Sequence, residues 1–221
     1  MAKIEFPKEK IELKAAPTRS KVAGAAFGIT KFILGILLLP FVYSTTISFL
    51  SQFDLIDKSL QSYFWSGVIA FLIVYLFVWE PAKIYAKGQR ILELVFRFFA
   101  PLVRVAPYVL PVYFILISVG FLLFSLAVKT EEFSSSGIFL FGFSLSLHLV
   151  FSAKTMRSRQ GDFLKANYIF GFSLVYIINL IILAFVLNLI FANFSFTVFF
   201  NHSFQKAADL IYAIYKQLFV Q

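Results

Sequence analysis

Five stretches of this chain contain no Asp, Glu, Lys or Arg: Phe32 to Phe53, Ser59 to Trp79, Val105 to Val128, Phe133 to Ala153, and Ala166 to Gln205. A helix needs about 20 mostly apolar residues to cross a hydrocarbon core, and each stretch supplies them. Composition agrees, since 60% of the residues are hydrophobic and 14% are charged, against about 25% charged in an average soluble domain. Too little polar surface remains to solvate a water-exposed fold. The expected fold is therefore an all-α, polytopic membrane helix bundle with about five transmembrane helices and additional interfacial amphipathic helices.

The spans are placed at about 32–53, 59–79, 106–128, 136–153 and 168–192, within a single transmembrane domain covering 24–221. The last uncharged stretch is long enough for two crossings, but Asn193, Ser195, Asn201, His202 and Ser203 interrupt its second half. The aromatic run Phe194 to Phe200 reads as an interfacial or re-entrant segment, and 203–220 as an amphipathic helix on the surface. Residues 1–23 read as a basic cytoplasmic tail without a fold of its own. No cleavable signal peptide is recognised, and no internal repeat.

Lysine and arginine favour the cytoplasmic side of a membrane. With five spans, 16 of the 20 fall on the side of the N-terminal segment and of the second and fourth connections. The expected orientation has the N-terminus in the cytoplasm and the C-terminus outside, in the inner (plasma) membrane of a bacterium. A six-span arrangement, with the C-terminal tail back inside, is compatible with the same charges. Trp65 and Trp79 fit interface anchors, and most of the 31 phenylalanines are assigned to lipid-facing surfaces and aromatic belts.

The second connection is too polar to cross and too apolar for an ordinary loop. Lys83, Arg90, Arg97 and Arg104 recur every seven residues with Lys87 between them, so on a helix they form one basic stripe. Ile84, Ile91, Leu92, Val95, Phe98 and Phe99 lie opposite. An interfacial helix over 82–104 that presents its cations to anionic lipid is the direct reading. Pro101, Pro107 and Pro111 then kink or start the third span. The net charge of +9 belongs to this lipid contact and to orientation; no nucleic-acid partner is expected.

The run Val78-Trp79-Glu80-Pro81-Ala82-Lys83-Ile84-Tyr85-Ala86-Lys87-Gly88-Gln89-Arg90-Ile91-Leu92-Glu93-Leu94 resembles the segment carrying the His-Glu-x-x-His motif in site-2-protease-like intramembrane zinc metallopeptidases. Ala106 to Pro111 and Ser146 to Phe151, with Arg159, Gln160 and Asp162, resemble further parts of that group, about half the chain in all. In that correspondence Gln89 and Glu93 stand at the histidine positions and Arg90 at the glutamate position. The group's motif holds zinc with two histidines and activates water with the glutamate. Gln is a poor zinc ligand, and Arg cannot take a proton from water. The resemblance thus implies a degenerate, non-proteolytic relative without catalytic residues, bound metal or cofactor.

Within the spans, His148 and Asn179 are the candidate functional groups, because polar side chains at that depth are costly. Ser144 and Ser152 lie one helical turn to either side of His148. Asn188 is about 180° round the helix from Asn179 and reads as approaching the outer interface. The expected function is a membrane scaffold or a subunit binding partners or lipid. Membrane lipids, anionic ones first, and other membrane subunits are its expected partners. Two alternatives stand beside it: an active intramembrane zinc metalloprotease with non-standard ligands, and a small channel or transporter subunit using His148 and Asn179.

Overall fold

A computed structural model describes residues 21–125, 131–158 and 168–219. Most of the expected N-terminal tail lies outside the described residues, as do Arg159, Gln160 and Asp162. The chain is an all-α helical bundle, and no strand occurs among the described residues. Four helical segments, Gly28–Phe53, Lys58–Val78, Ser134–Arg157 and Tyr168–Ile190, are long and apolar enough to cross a membrane. They coincide with four of the five expected spans, and the protein is a membrane protein with transmembrane helices.

Helix α1 (Lys21–Phe53) is joined to α2 (Lys58–Ile73) by a short turn in which Asp57 caps α2, accepting from Ser59 N at 2.8 Å. Helix α2 widens into a π-helical turn, Val74–Val78, and Pro81 ends the traverse before α3 (Ala82–Val95). After α3 come α4 (Ala100–Val109), α5 (Val112–Ser125), α6 (Glu131–Ser158), α7 (Tyr168–Ile190) and α8 (Phe196–Phe219). Phe71 meets Phe143 and Tyr75 meets Phe151, so α2 and α6 run parallel. They touch backbone to backbone where Gly67 faces Phe139 and Gly142 faces Phe64. Helices α1 and α7 are also parallel: Gly35 lies on Phe170, and Thr46 Oγ1 is 3.0 Å from the Tyr176 hydroxyl.

The region of the expected third span differs from expectation. The helix expected over 82–104 stops at Val95, and Phe99 is extended. Pro101 explains the stop, because it has no N–H for a carbonyl one turn back yet is well accommodated in a first turn. Arg97 consequently sits in a turn, not on the helical stripe. The expected span over 106–128 is broken as well. Leu110 is extended (φ −92°, ψ 126°), the conformation that a following proline, here Pro111, imposes. Ser152 beside Tyr108, Phe141 beside Phe114 and Gly137 beside Phe121 show α4–α5 rising antiparallel to α6. Two helices, of 10 and 14 residues, thus stand where one span was expected.

Phenylalanine also supplies much of the interior. Phe49, Phe53, Phe64, Phe114, Phe121, Phe141, Phe194 and Phe199 all belong to the main core cluster. Rings meeting edge to face fit a helix interior as readily as a lipid surface, so residue type alone does not separate the two.

Helix α8 departs most from the sequence reading. It begins at Phe196, not 203, and the supposed re-entrant run supplies its first turns. Ser195 Oγ receives Val198 N, and Asn188 Oδ1 receives Phe196 N at 2.9 Å. Asn188 is therefore a cap for the next helix. Buried Ser203 donates back to Phe199 O, which is why the polar residues do not interrupt the helix. Along α1 the contacts run in reverse order: Gln52 Oε1 accepts Ser195 N, Phe49 meets Phe199, and Phe41 meets Phe204. Helix α8 doubles back beside α1. Small buried residues lie on both helices, Ser44, Thr45 and Ser48 on α1 and Ser203 and Ala207 on α8, which suits a close approach.

Candidate functional site

The site grows out of the break between α4 and α5. In hydrocarbon, backbone groups freed by a helix break need protein partners. Pro111 has no N–H for the Pro107 carbonyl, and Val112 N turns to Leu110 O, which frees the Tyr108 carbonyl. Ser152 Oγ on α6 donates to Tyr108 O at 3.0 Å. Asn179 Nδ2 on α7 donates to Val109 O at 2.9 Å and to Val175 O in its own helix at 2.8 Å. Two neighbouring helices thus close the break with side chains.

Ser152 is a hub. Its hydroxyl lies 3.0 Å from the Tyr85 hydroxyl of α3 and 3.2 Å from His148 Nε2. A serine has one hydrogen to give, and Tyr108 O, which can only accept, takes it. The serine oxygen can in turn accept from the Tyr85 hydroxyl and from His148 Nε2. The carbonyls of Val109 and Tyr108 also lie against the imidazole. Tyr85, His148 and Ser152 are all buried.

A small cavity opens beside this hub, lined by Gln89, Tyr85, Gly88, Pro107, Tyr113 and His148 among others, and about 10 Å³ of it is open to the centre of a water molecule. That is room for about one water. Gln89 Nε2 is buried there without a hydrogen-bond partner among the described residues. The Tyr113 ring occupies the space a Cβ on Gly88 would need, 2.8 Å from it, and its hydroxyl donates to Ile84 O at 2.6 Å. Helix α3 is thereby tied to α5, the piece that follows the break.

The residues named from sequence divide. Gln89, His148 and the nearby Asn179 converge on the break. Arg90 and Glu93 do not, since both are exposed, and no group of three or more His, Asp or Glu able to hold a metal occurs among the described residues. Lys83, Lys87, Arg90 and Arg97 are all exposed; the Arg104 side chain lies outside the described residues. The apolar side of α3 also splits. Tyr85, Gly88 and Leu92 are buried against the bundle, while Ile84, Ile91 and Val95 stay exposed. Helix α3 presents three faces: one to protein, one apolar and open, one cationic. The spacing i, i+3, i+7 of Tyr85, Gly88 and Leu92 carried the signal for the protein face. Exposed Lys154 and Glu80 form an ion pair that links the end of α6 to the start of this connection.

No family model, curated protein or solved structure matches the chain.

Proposed function

We propose that the protein is a non-catalytic integral membrane scaffold or subunit that binds anionic lipid through α3 and couples that contact to the break between α4 and α5. One observation carries the reading: α3 docks by Tyr85, Gly88 and Leu92 while Lys83, Lys87 and Arg90 stay exposed beside an open apolar flank. That combination suits a helix at the headgroup layer, with apolar residues toward acyl chains and cations toward phosphate. The excess of Lys and Arg around the N-terminal segment and α3 supports a cytoplasmic placement of both, in a bacterial inner membrane. Helix α8 is 24 residues long, about 36 Å, and returns beside α1. In this reading it carries the chain end back toward the cytoplasmic side, in place of the outside C-terminus of the five-span scheme.

Each surface cation near an anionic membrane contributes about 1 kcal/mol. The triple variant Lys83→Gln, Lys87→Gln, Arg90→Gln is therefore expected to lose roughly 100-fold of the preference for phosphatidylglycerol over phosphatidylcholine. Native mass spectrometry from mixed lipid–detergent micelles reads this directly. Unchanged phosphatidylglycerol retention in the triple variant would reject the reading. The resemblance to intramembrane metallopeptidases enters as a non-proteolytic relationship, and stoichiometric, tightly held zinc after purification would contradict it.

A second reading has its own observation in favour. Discontinuous helices at membrane depth often frame solute sites, and here the break adjoins His148, Asn179 and a water-sized cavity. A channel or transporter subunit would show proton or cation flux in liposomes that disappears in His148→Ala. Flux that survives the substitution removes His148 from any such path.

A further inference from the structure

Helix α8 brings ionisable residues alongside the apolar segment of α1. Phe204 rests on Phe41, near the middle of the apolar segment Gly28–Phe53. Lys206 and Asp209 lie within the next two turns, alongside a part of α1 that contains only apolar residues and Gly35. His202, Gln205, Lys206 and Asp209 follow the spacing i, i+3, i+4, i+7, so they share one face. All four are exposed. A groove runs from this face to Ser51, Gln52 and Leu55 at the end of α1. The buried face of α8 is a different one, made by Phe199, Ser203 and Ala207, with Phe199 against Phe49 of α1.

An uncovered Lys or Asp at the bilayer centre is costly, and such residues almost always face protein or a water-filled cavity. Neither Lys206 nor Asp209 has an ion-pair partner among the described residues. The two charges are opposite and lie on one face, so the face is complementary to itself. A twofold axis along the membrane normal would bring Lys206 of each copy to Asp209 of the other, the reciprocal arrangement of an isologous contact. We propose that this face of α8 is a homodimer interface within the membrane, closed by two reciprocal Lys206–Asp209 ion pairs, with His202 nearest the axis.

The chain has no cysteine, which makes the test direct. His202→Cys, oxidised in native membranes, is expected to give a disulfide-linked dimer. Ala208→Cys, on the exposed apolar side of the same helix, is expected to remain monomeric. In the His202→Cys background, Lys206→Asp and Asp209→Lys should each lower the cross-linked fraction about tenfold, because like charges then oppose each other. The double exchange should restore it. Cross-linking of His202→Cys no greater than that of Ala208→Cys would overturn the interface and leave lipid headgroups or water as the cover for these charges. Failure of the double exchange to rescue, with both proteins inserted and monodisperse, would overturn the ion pairing.

Discussion

Gly67→Ala and Gly142→Ala are each expected to destabilise the bundle by about 3 kcal/mol or more, at the upper end of what overpacking costs. A Cβ on Gly67 would stand 2.0 Å from the Phe139 carbonyl oxygen, and one on Gly142 would stand 2.1 Å from that of Phe64. Both neighbours are backbone in the middle of a helix, so no side chain can rotate away. Helices α2 and α6 would have to separate by about 1 Å, loosening the aromatic contacts between them. The higher helix propensity of alanine returns only about 1 kcal/mol. Once one methyl has pushed the helices apart the second is cheaper, so the double variant should fall short of the sum by about 1 kcal/mol or more. Unfolding titrations in mixed micelles measure all three. Wild-type stability in either single variant would mean that α2 and α6 do not meet at these glycines.

Ser152→Ala is expected to have the next largest effect, about 3 kcal/mol, although only one oxygen is removed. That oxygen serves the Tyr108 carbonyl, the Tyr85 hydroxyl and His148 Nε2 together. Without it three buried polar groups lose a partner in surroundings with almost no water. Ser144→Ala is the matched comparison: same helix, two turns earlier, a buried hydroxyl that bonds only the Leu140 and Phe141 carbonyls of its own helix. Those carbonyls lie in the body of α6, so its loss should cost less than about 1 kcal/mol. A Ser152→Ala, Tyr85→Phe double variant should cost less than the sum, since both changes remove the same Tyr85–Ser152 contact. Equal effects of Ser152→Ala and Ser144→Ala would show that the hub does not brace the break.

Much of the site was partly legible. His148 and Asn179 stood out because polar groups are rare in apolar runs, and the prolines at 107 and 111 announced a disturbed helix. Tyr85 was not legible as a site residue. It lies in an amphipathic segment where a tyrosine fits a lipid interface equally well, and only its approach to Ser152 gives it a role. Gln89 and Arg90 are adjacent in a motif-like run, yet one faces the cavity and the other faces out. Residues next to each other on a helix point about 100° apart, so a linear correspondence does not place them in one site. The polar residues at 193–203 suggested an interrupted segment, and in the folded chain Ser195 and Ser203 each bond within α8.

The sequence by itself determined that this chain is a helical membrane bundle, and it located the four segments long and apolar enough to cross. Burial in hydrocarbon depends on length, apolar content and charge within each segment, all of which are local. Only the tertiary structure decided that α2 meets α6 at two glycines, that Ser152 and Asn179 close the break between α4 and α5, and that α8 returns along α1. Lipid tails are as apolar as leucine, so hydropathy does not choose one helix pairing over another. Fit between small residues and hydrogen bonds between distant positions make that choice.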